Sequence, residues 1–361
     1  MKRICYLINH ISLVEFECNL LRDLGYEIYL CKTTGGNRSC DINFEFDKTL
    51  TLQDNVISEL NSYDFYSVKY PKRLVDIANR YFDIIIIPNI YPLALNVVKN
   101  FKGKILLRAF GYENNLNYEQ LTRSTNAIKG WKKVFKPKDI IHYNEMTKAL
   151  YKIKDRFVLG CAYKEIIANE SPFFQKHSAY LPLGCGKSIW KYENTWIGTE
   201  QKIMFVCPSI ETNYYGDVYK KFKINFGDMP HSIFGKNIYP NTDKSVLGFL
   251  DRVLFNKALQ QYKVMFYHSQ EPRHLHYHPL EAIIFGQPLI FMGGGILGML
   301  SKNRCVGEAK DIFEAKRKIK MVLKNDIGFI NEVVNSQKII LEQFSYDFVR
   351  KQWESFINNW S

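Results

Sequence analysis

The side chains best suited to binding a phosphorylated ligand lie in one short segment, residues 273–295. This segment contains Arg273, His274, His276, His278, Glu281, Gly293, Gly294 and Gly295. Guanidinium and imidazole groups can donate hydrogen bonds to phosphate oxygens, and a carboxylate can accept them from ribose hydroxyls. Glycines let a backbone N–H group approach an anion closely. The segment therefore predicts half of a nucleotide-binding site.

The hydrophobic pattern places regular elements around these side chains. An apolar run at 264–267 predicts a buried strand, residues 280–285 a short helix that stops at Gly286, and residues 289–291 a second strand. Backbone N–H groups at the helix start and in the glycine loop would then face a phosphate.

The three histidines alternate at 274, 276 and 278, a spacing that also suggests a metal site. The adjoining Pro279-Leu280-Glu281 argues for phosphate recognition instead, and no Asp-x-Asp motif follows a predicted strand. We therefore expect no metal. His276 and His278 share a strand-like face and are expected to contact the phosphate, while His274 is expected to be structural.

The residues Pro279-Leu280-Glu281-Ala282 and Phe285-Gly286-Gln287-Pro288-Leu289-Ile290 resemble the donor-site motif of retaining GT-B glycosyltransferases of the glycogen-synthase type. The resemblance implies two Rossmann-like α/β domains facing a cleft, a nucleotide-sugar donor and no separate cofactor. In that family the motif has two glutamates eight residues apart. The second binds the ribose and corresponds to Glu281, whereas the first contacts the sugar, and Arg273 stands in its place.

The arginine at position 273, in place of a glutamate, affects which donor sugar is expected. A guanidinium pairs best with a carboxylate or a phosphate through two parallel hydrogen bonds. A CMP-activated acidic sugar such as Kdo therefore fits Arg273, as in bacterial enzymes that resemble this layout and build surface polysaccharides. The alternative is that Arg273 binds the diphosphate of an ordinary UDP-, GDP- or dTDP-hexose.

Other classes share parts of this pattern. A GT-B epimerase would have the whole fold, and a non-catalytic nucleotide-sugar binding protein would have the same donor site. A nicotinamide oxidoreductase is disfavoured because no G-x-G-x-x-G follows the first strand.

The second half of the chain offers three more donor-side candidates. Ser209 and Lys236 follow predicted strands and are expected to face the donor phosphates. Asp217, expected at the end of the same loop as Ser209, is a candidate catalytic carboxylate.

The first half offers acceptor-side candidates at predicted strand ends. Glu113 lies in a loop of aromatic and glycine residues and is a candidate base for an acceptor hydroxyl. His10 and Arg108 are expected to face the acceptor, a glycan or glycolipid. For Glu113 and Asp217, the alternative is an acid that only faces solvent.

Length and composition fit this reading. The chain has 361 residues, 46% of them hydrophobic, which suits two domains, and no apolar run is long enough to span a membrane. The N-terminus resembles a first strand and not a signal peptide. The eight cysteines include no CxxC pair, so we expect reduced thiols in the cytoplasm.

Basic residues exceed acidic ones by 49 − 36 = 13, which favours anionic partners. One cluster interleaves Lys132, Lys133, Lys136 and Lys138 with Trp131 and Phe135. We expect it either to be a solvated helix face or to touch the inner face of an anionic membrane. No nucleic-acid-binding motif occurs, so no nucleic-acid partner is expected.

Alternating strand and helix patterns organise the whole chain. Strands are predicted at 4–8, 26–31, 83–88, 104–108, 138–143, 156–161, 179–182, 202–207, 231–236, 264–267 and 289–291. Helices are predicted at 13–24, 56–60, 72–81, 92–100, 145–153, 280–285 and 309–323. Pro182, Gly184 and Gly186 mark the predicted linker. We thus expect an acceptor-binding domain at 1–184, a donor domain at 185–340, and a final amphipathic helix at 341–361 that returns to the first domain.

Overall fold

The computed structural model describes residues 2–7, 11–31, 50–67, 69–88, 93–111, 117–123, 137–302 and 304–360, with the backbone alone at 11–12, 121–123 and 137–144. The chain divides into two compact units. Unit 1 comprises residues 1–186 and 346–361, and unit 2 comprises residues 187–345.

Unit 1 is a parallel sheet with helices between its strands. Its elements are β1 (Arg3–Tyr6), α1 (Ile11–Asp23), β2 (Glu27–Leu30), α2 (Asp54–Asn61), α3 (Lys72–Tyr81), β3 (Ile84–Pro88), α4 (Leu93–Asn100), β4 (Lys104–Ala109), α5 (Tyr118–Arg123), α6 (Pro137–Ile153), a 3-10 helix (Lys154–Arg156), β5 (Phe157–Cys161), α7 (Lys164–Ala168), α8 (Pro172–Lys176) and β6 (Ser178–Tyr180). The described strands lie in the order β2-β1-β3-β4-β5-β6, and every recorded pairing is parallel. The order reverses direction between β1 and β3.

The core of unit 1 follows from buried strands and one-sided helices. β3 consists of four isoleucines and a proline and is buried along its whole length, as expected for a central parallel strand covered on both faces. The final helix, α16 (Tyr346–Trp360), belongs to this unit and buries Val349, Trp353 and Ile357 at four-residue spacing in the same core. Trp353 also donates from Nε1 to the Pro182 carbonyl at 3.3 Å.

One predicted strand is wrong. Residues 138–143 are not a strand but the first half of α6, which begins at Pro137. Proline is favoured at the first position of a helix because its missing N–H would be unpaired there in any case. A short apolar run such as Ile140-Ile141 cannot distinguish a strand from a helix by itself.

Unit 2 repeats the same architecture. Its elements are α9 (Lys187–Trp190), β7 (Glu200–Val206), α10 (Asn213–Phe226), β8 (His231–Phe234), β9 (Val246–Gly248), α11 (Arg252–Gln261), β10 (Tyr262–Tyr267), α12 (Tyr277–Phe285), β11 (Leu289–Met292), α13 (Ile296–Ser301), β12 (Glu308–Ala309), α14 (Ile312–Leu323), α15 (Ile327–Gln337) and a 3-10 helix (Lys338–Phe344). The strand order is β12-β11-β10-β7-β8-β9, again with parallel pairings. The predicted α/β class with two Rossmann-like units is confirmed.

The sheet order of unit 2 fixes where its loops meet. From β7 the chain continues outward through β8 and β9, whereas from β10 it continues in the other direction through β11 and β12. The switch point is therefore the boundary between β7 and β10, where the two loops that follow these strands diverge and leave a crevice.

Two helix boundaries in unit 2 can be compared with the sequence predictions. α12 ends at the predicted Gly286, which adopts φ +81, but it begins at Tyr277, three residues before the predicted start. The helix predicted from residue 309 begins only at Ile312, because Glu308–Ala309 pairs with β11 as β12 and the Asp311 side chain accepts from the Glu314 N–H. Among the described residues, no helix combines the length and apolarity needed to cross a bilayer.

Candidate functional site

Glu281 is a buried residue of unit 2 whose carboxylate is held by an ion pair. It lies on α12, where residues 279–285 are all buried, and its side chain is only 5% exposed. Its Oε1 accepts from Nη2 of Arg252 at 2.6 Å, and the Arg252 side chain, in the first turn of α11, is 50% exposed. Within the described part of the chain no group donates to Oε2, so this oxygen can accept a hydrogen bond from a ligand.

His276 connects the two segments that flank the switch point. It precedes α12, and its Nδ1 lies 3.1 Å from the hydroxyl of Tyr267, the last residue of β10. Its Nε2 lies 3.2 Å from the hydroxyl of Tyr215 in the first turn of α10. In a neutral imidazole one of these nitrogens donates and the other accepts. The loop after β10 is thereby tied to the helix that follows β7.

His278 is held as a neutral ring. Its ring centroid lies 5.5 Å from that of Tyr267 and 5.4 Å from that of His276. Burial, with smaller contributions from His276, His268 and His274, holds the pKa of His278 well below its usual value. At neutral pH His278 can therefore offer an N–H donor to a ligand but not a positive charge.

The alternating histidines contact one another and neighbouring tyrosines. His274 and His276 stack edge to face at 4.8 Å, and His276 makes the tyrosine contacts given above. Across the ranges that the structure describes, no set of three His, Cys, Asp or Glu side chains has an arrangement that could hold a metal ion.

Arg273 is paired with a carboxylate of its own loop. Its Nε donates to Oε1 of Glu271 at 3.0 Å, and its backbone N–H lies 3.3 Å from the same oxygen. Both side chains are mostly buried. Glu271 is a residue that the sequence reasoning missed, because that reasoning considered only the position eight residues before Glu281. A search for any acid in this loop would have found it.

The glycine loop packs against the loop after β10. Gln270 donates from Nε2 to the Gly293 carbonyl at 2.7 Å, and the Ile296 N–H donates to the Glu271 carbonyl at 3.1 Å. A Cβ on Gly295 would come within 2.8 Å of the Gln270 backbone, so only glycine fits there. Gly294 adopts φ +81, and its N–H makes no hydrogen bond with another described residue. The loop thus combines close packing with a donor left for a ligand.

A second unpredicted acid borders this loop. The Glu308 side chain lies beside Gly293, where an added Cβ would meet its Oε1 at 2.7 Å. Ser301 donates to the other carboxylate oxygen at 3.3 Å. A carboxylate can accept hydrogen bonds from sugar hydroxyls but repels a phosphate. The Gly293 side of the loop therefore suits a sugar better than a phosphate.

Ser209 and Lys236 lie side by side, as their loops pair. The Ser209 N–H donates to the Lys236 carbonyl at 2.9 Å, and the Ile210 N–H donates to Oδ1 of Asn237 at 3.2 Å. Ser209 itself has φ +51, an uncommon conformation for a non-glycine residue. The Lys236 side chain is exposed. These two candidates therefore meet at the carboxyl edge of the sheet, on the β7 side of the switch point.

Asp217 does not lie in the predicted loop. α10 begins at Asn213, so Asp217 is on this helix, where its side chain is 70% exposed and lies 3.8 Å from Nζ of Lys220. The loop is shorter than the sequence suggested, since the tyrosine-rich stretch after Thr212 is already helical. Among the candidates that the structure describes, none makes a hydrogen bond or an ion pair with Asp217.

Arg108 is buried within unit 1 and is not exposed at the end of its strand. Its side chain is 1% exposed and pairs with the equally buried Glu17 at 2.6 Å. The prediction failed because a strand end was taken to expose its last side chains, whereas Arg108 is held inside unit 1. His10, Glu113 and the basic cluster at 132–136 lie outside the described residues, as does the side chain of Lys138.

Comparisons with known proteins agree with this geometry at the level of fold. No protein-family model and no curated protein match the sequence. The solved structures that it resembles include Anabaena HepE in complex with UDP and glucose, with a TM-score of 0.59 and 10% identity over 99% of this chain and 100% of that one. Sucrose-phosphate synthase from Thermosynechococcus elongatus has a TM-score of 0.56 and 9% identity over 99% of both chains.

An α,α-trehalose-phosphate synthase (UDP-forming) from Burkholderia xenovorans, in complex with glucose-6-phosphate, has a TM-score of 0.55 and 10% identity over the full length of both chains. These structures share the GT-B fold, and so does this chain. The predicted GT-B architecture is confirmed. Because the sequence identities are so low, these similarities establish the fold alone.

Proposed function

We propose that this chain is a glycosyltransferase that binds a nucleotide-sugar in unit 2 and transfers the sugar to a glycan or lipid-linked acceptor. One observation carries the proposal: the buried Glu281 carboxylate is oriented by Arg252, and its second oxygen accepts from no described residue, on the helix that follows the switch-point strand β10. Ligands of open α/β sheets bind at such switch points.

The surrounding residues can be assigned roles on this basis. Oε2 of Glu281 accepts from a ribose hydroxyl, and Ser209 and Lys236 bind the phosphates. His276, which was expected to contact the phosphate, instead holds the loop after β10 through Tyr267 and Tyr215. His278 adds a neutral donor, and the Gly294 N–H, which donates to no described residue, adds another. In glycosyl transfer the departing nucleotide gains negative charge as the sugar becomes oxocarbenium-like, so positioned donors lower the barrier. Because these donors can balance that charge, we propose that no divalent metal is needed.

For the donor, we propose a nucleoside-diphosphate hexose rather than CMP-Kdo. The expectation of an acidic sugar rested on an Arg273 charge available to a carboxylate. In the structure Glu271 already balances that charge. The acids that adjoin the glycine loop, Glu271 and Glu308, suit the hydroxyls of a neutral sugar and would repel a carboxylate. The UDP and UDP-glucose complexes of HepE support the same choice.

The acceptor side remains a proposal for unit 1. Its sheet reverses order between β1 and β3, and ligands of open α/β sheets bind at such a reversal. His10 follows β1 in the sequence and is retained as a proposed acceptor contact, and Glu113 is retained as the candidate base. Asp217 is not retained, because its exposed carboxylate lies on α10.

A nucleotide screen on the full chain tests the proposal. Thermal unfolding is followed with UDP, GDP, dTDP and CMP, with Glu332→Gln, an exposed acid on α15, as the matched control for Glu281→Gln. At about 100 times Kd a nucleotide stabilises the folded state by about 2.7 kcal/mol. We expect UDP or another diphosphate to raise the midpoint in the wild type and in Glu332→Gln, and far less in Glu281→Gln.

Three other results would contradict parts of this assignment. Absence of a shift with every nucleotide would remove the donor site, and a preference for CMP would restore the acidic-sugar donor. Sugar interconversion without an acceptor would identify an epimerase. Release of nucleotide that depends on an added glycan acceptor would distinguish the transferase from a binding protein.

A further inference from the structure

The first residue of α11, Arg252, has hydrogen-bond donors that its contact with Glu281 does not use. That contact involves Nη2 alone, at 2.6 Å, and half of the Arg252 side chain is exposed. Among the described residues, none accepts a hydrogen bond from Nε or Nη1 of Arg252. A guanidinium carries five N–H donors and no acceptor. Arg252 can therefore donate to an acceptor on a ligand while it continues to hold Glu281.

Asn256 lies one turn further along the same helix. It is only 7% exposed, and its buried side-chain oxygen, Oδ1, accepts from no described residue. Residues four apart lie on the same face of a helix, so Asn256 shares the face from which Arg252 reaches Glu281 on α12. A buried acceptor without a partner is unfavourable, and most such groups in proteins are paired. This oxygen therefore indicates a hydrogen-bond donor that the described protein does not supply.

We propose that Arg252 and Asn256 bind the nucleobase of the donor, an inference that rests on the function proposed above. Glu281 is assigned to the ribose, and the base is bonded directly to that ribose. A keto oxygen of the base accepts from Arg252, and the ring N–H beside it donates to Oδ1 of Asn256. Because Oδ1 is buried, the amide rotates about its terminal torsion, which is broad in asparagine, to meet the base. Uracil, thymine and guanine all carry a keto oxygen beside a ring N–H.

A phosphate fits this pair of side chains less well. The phosphate oxygens of a nucleotide-sugar accept hydrogen bonds and do not donate them, so they suit Arg252 but not the carbonyl of Asn256. The phosphates are also assigned to Ser209 and Lys236, which follow β7 and β8, whereas Arg252 begins the helix that leads into β10. The two side chains together therefore match the edge of a base.

This pair distinguishes bases because the ribose and the diphosphate fix where the base lies. Cytosine has an amino group and an unprotonated ring nitrogen where uracil has a keto oxygen and a ring N–H, and adenine differs from guanine in the same way. The amino group would direct its N–H toward the donors of Arg252, and the ring nitrogen would direct its lone pair toward Oδ1 of Asn256. Both contacts are repulsive, so the keto base binds more tightly.

Calorimetric titration of the full chain with pairs of nucleoside diphosphates tests the contact of Arg252. UDP and CDP differ only in the base, as do GDP and ADP. We expect UDP to bind at least about tenfold more tightly than CDP, or GDP than ADP, and this ratio to fall to within about threefold in Arg252→Gln. Glu281→Gln should weaken both members of a pair and keep their ratio, because they share the ribose. Lys257→Gln removes an exposed charge from the same helix and should leave the ratio unchanged.

A methylated nucleotide tests the contact of Asn256. N3-methyl-UDP, or N1-methyl-GDP if GDP binds more tightly, carries a methyl group in place of the ring N–H. We expect it to bind at least about tenfold more weakly than its parent in the wild type, and within about threefold of its parent in Asn256→Ala, which also makes room for the methyl group. Asn335→Ala replaces an exposed asparagine on α15 and should keep the wild-type difference. Thermal unfolding without nucleotide checks that each variant folds, and Asn256→Leu replaces Asn256→Ala if the smaller side chain does not.

The possible results separate this inference from the function on which it rests. If none of the nucleotides binds, the proposed donor site is wrong and this inference fails with it. If UDP binds no more tightly than CDP and GDP no more tightly than ADP, or if the ratio survives in Arg252→Gln, Arg252 does not contact the base and the donor site stands. An equal effect of methylation in the wild type and in Asn256→Ala overturns the contact of Asn256.

Discussion

Glu17 accepts two hydrogen bonds from Arg108, from Nη2 at 2.6 Å and from Nε at 3.0 Å, although the residues are 91 positions apart. The Tyr6 hydroxyl donates to the other oxygen of Glu17 at 2.7 Å. Arg108 also donates from Nη1 to the Gly160 carbonyl at 2.7 Å, and its guanidinium lies 5.0 Å from the ring centroid of Trp353. The pair therefore joins α1, β4, β5 and α16 inside unit 1.

Breaking this buried pair should be costly. Arg108→Met leaves Glu17 buried without its partner, and we expect a loss of about 3–5 kcal/mol in the free energy of unfolding of unit 1. Glu17→Met/Arg108→Met removes both charges and should lose much less than the two single variants together. Urea unfolding followed by tryptophan fluorescence measures the differences.

The exposed pair Arg73–Glu59 is the matched control for this cycle, because the Arg73 side chain is 65% exposed and their separation is also 2.6 Å. We expect no resolvable change in stability for Arg73→Met. Unchanged stability of Arg108→Met, with weaker binding of an acceptor, would instead return Arg108 to the acceptor side.

Glu281→Gln should weaken nucleotide binding without unfolding the chain. The amide keeps the shape of the side chain and can still accept from Arg252, but it removes the charge that strengthens a hydrogen bond from ribose. We expect a loss of about 1.5–3 kcal/mol in the free energy of binding. Calorimetric titration with UDP measures it, and Glu332→Gln should bind as the wild type does. Equal affinity in Glu281→Gln would remove Glu281 from the site.

Glu271 and Arg273 should affect the sugar and not the nucleotide. Glu271→Gln removes an acid that we assign to the sugar hydroxyls, so hydrolysis of a UDP-hexose should slow by about 10–100-fold, while the affinity for UDP itself stays within about threefold. Arg273→Lys keeps the positive charge beside Glu271. It should therefore change the hydrolysis rate and the UDP affinity less than Glu271→Gln does. Faster turnover of CMP-Kdo than of UDP-hexose, abolished by Arg273→Lys, would contradict this assignment.

His278 should make stability depend on pH. Its folded-state pKa is well below the ordinary value of about 6.5, so below that pH the unfolded chain binds a proton that the folded chain does not. The free energy of unfolding should therefore fall as pH decreases through this range, by up to about 1.4 kcal/mol per pH unit. His278→Gln should lack this contribution. The difference in the free energy of unfolding between the wild type and His278→Gln should therefore change between pH 7.5 and pH 5.5. A constant difference over that range would show that His278 is not held neutral.

Local patterns in the sequence were enough to predict the repeated strand-helix units. The isoleucines of β3 and the stop of α12 at Gly286 have immediate local causes, namely burial on both faces of a strand and the left-handed backbone that glycine adopts. The motif around Glu281 likewise predicted a nucleotide-sugar fold, and comparison with solved structures confirmed GT-B. Where one pattern fits two elements, as in the first half of α6, prediction failed because packing decides between them.

Only the tertiary structure decided which charges are free. Arg273 and Arg108 are both arginines near predicted strand ends. Their positions in the sequence do not show that Arg273 pairs with Glu271, or that Arg108 pairs with Glu17, 91 residues away. The same holds for Arg252, which no motif indicated and which orients Glu281 from another helix. Ion pairs depend on distances between side chains that folding alone brings together, whereas periodicity depends only on neighbours along the chain. For that physical reason the sequence determined the architecture and suggested where a donor would bind, and the fold determined which of the candidate side chains are paired within the protein.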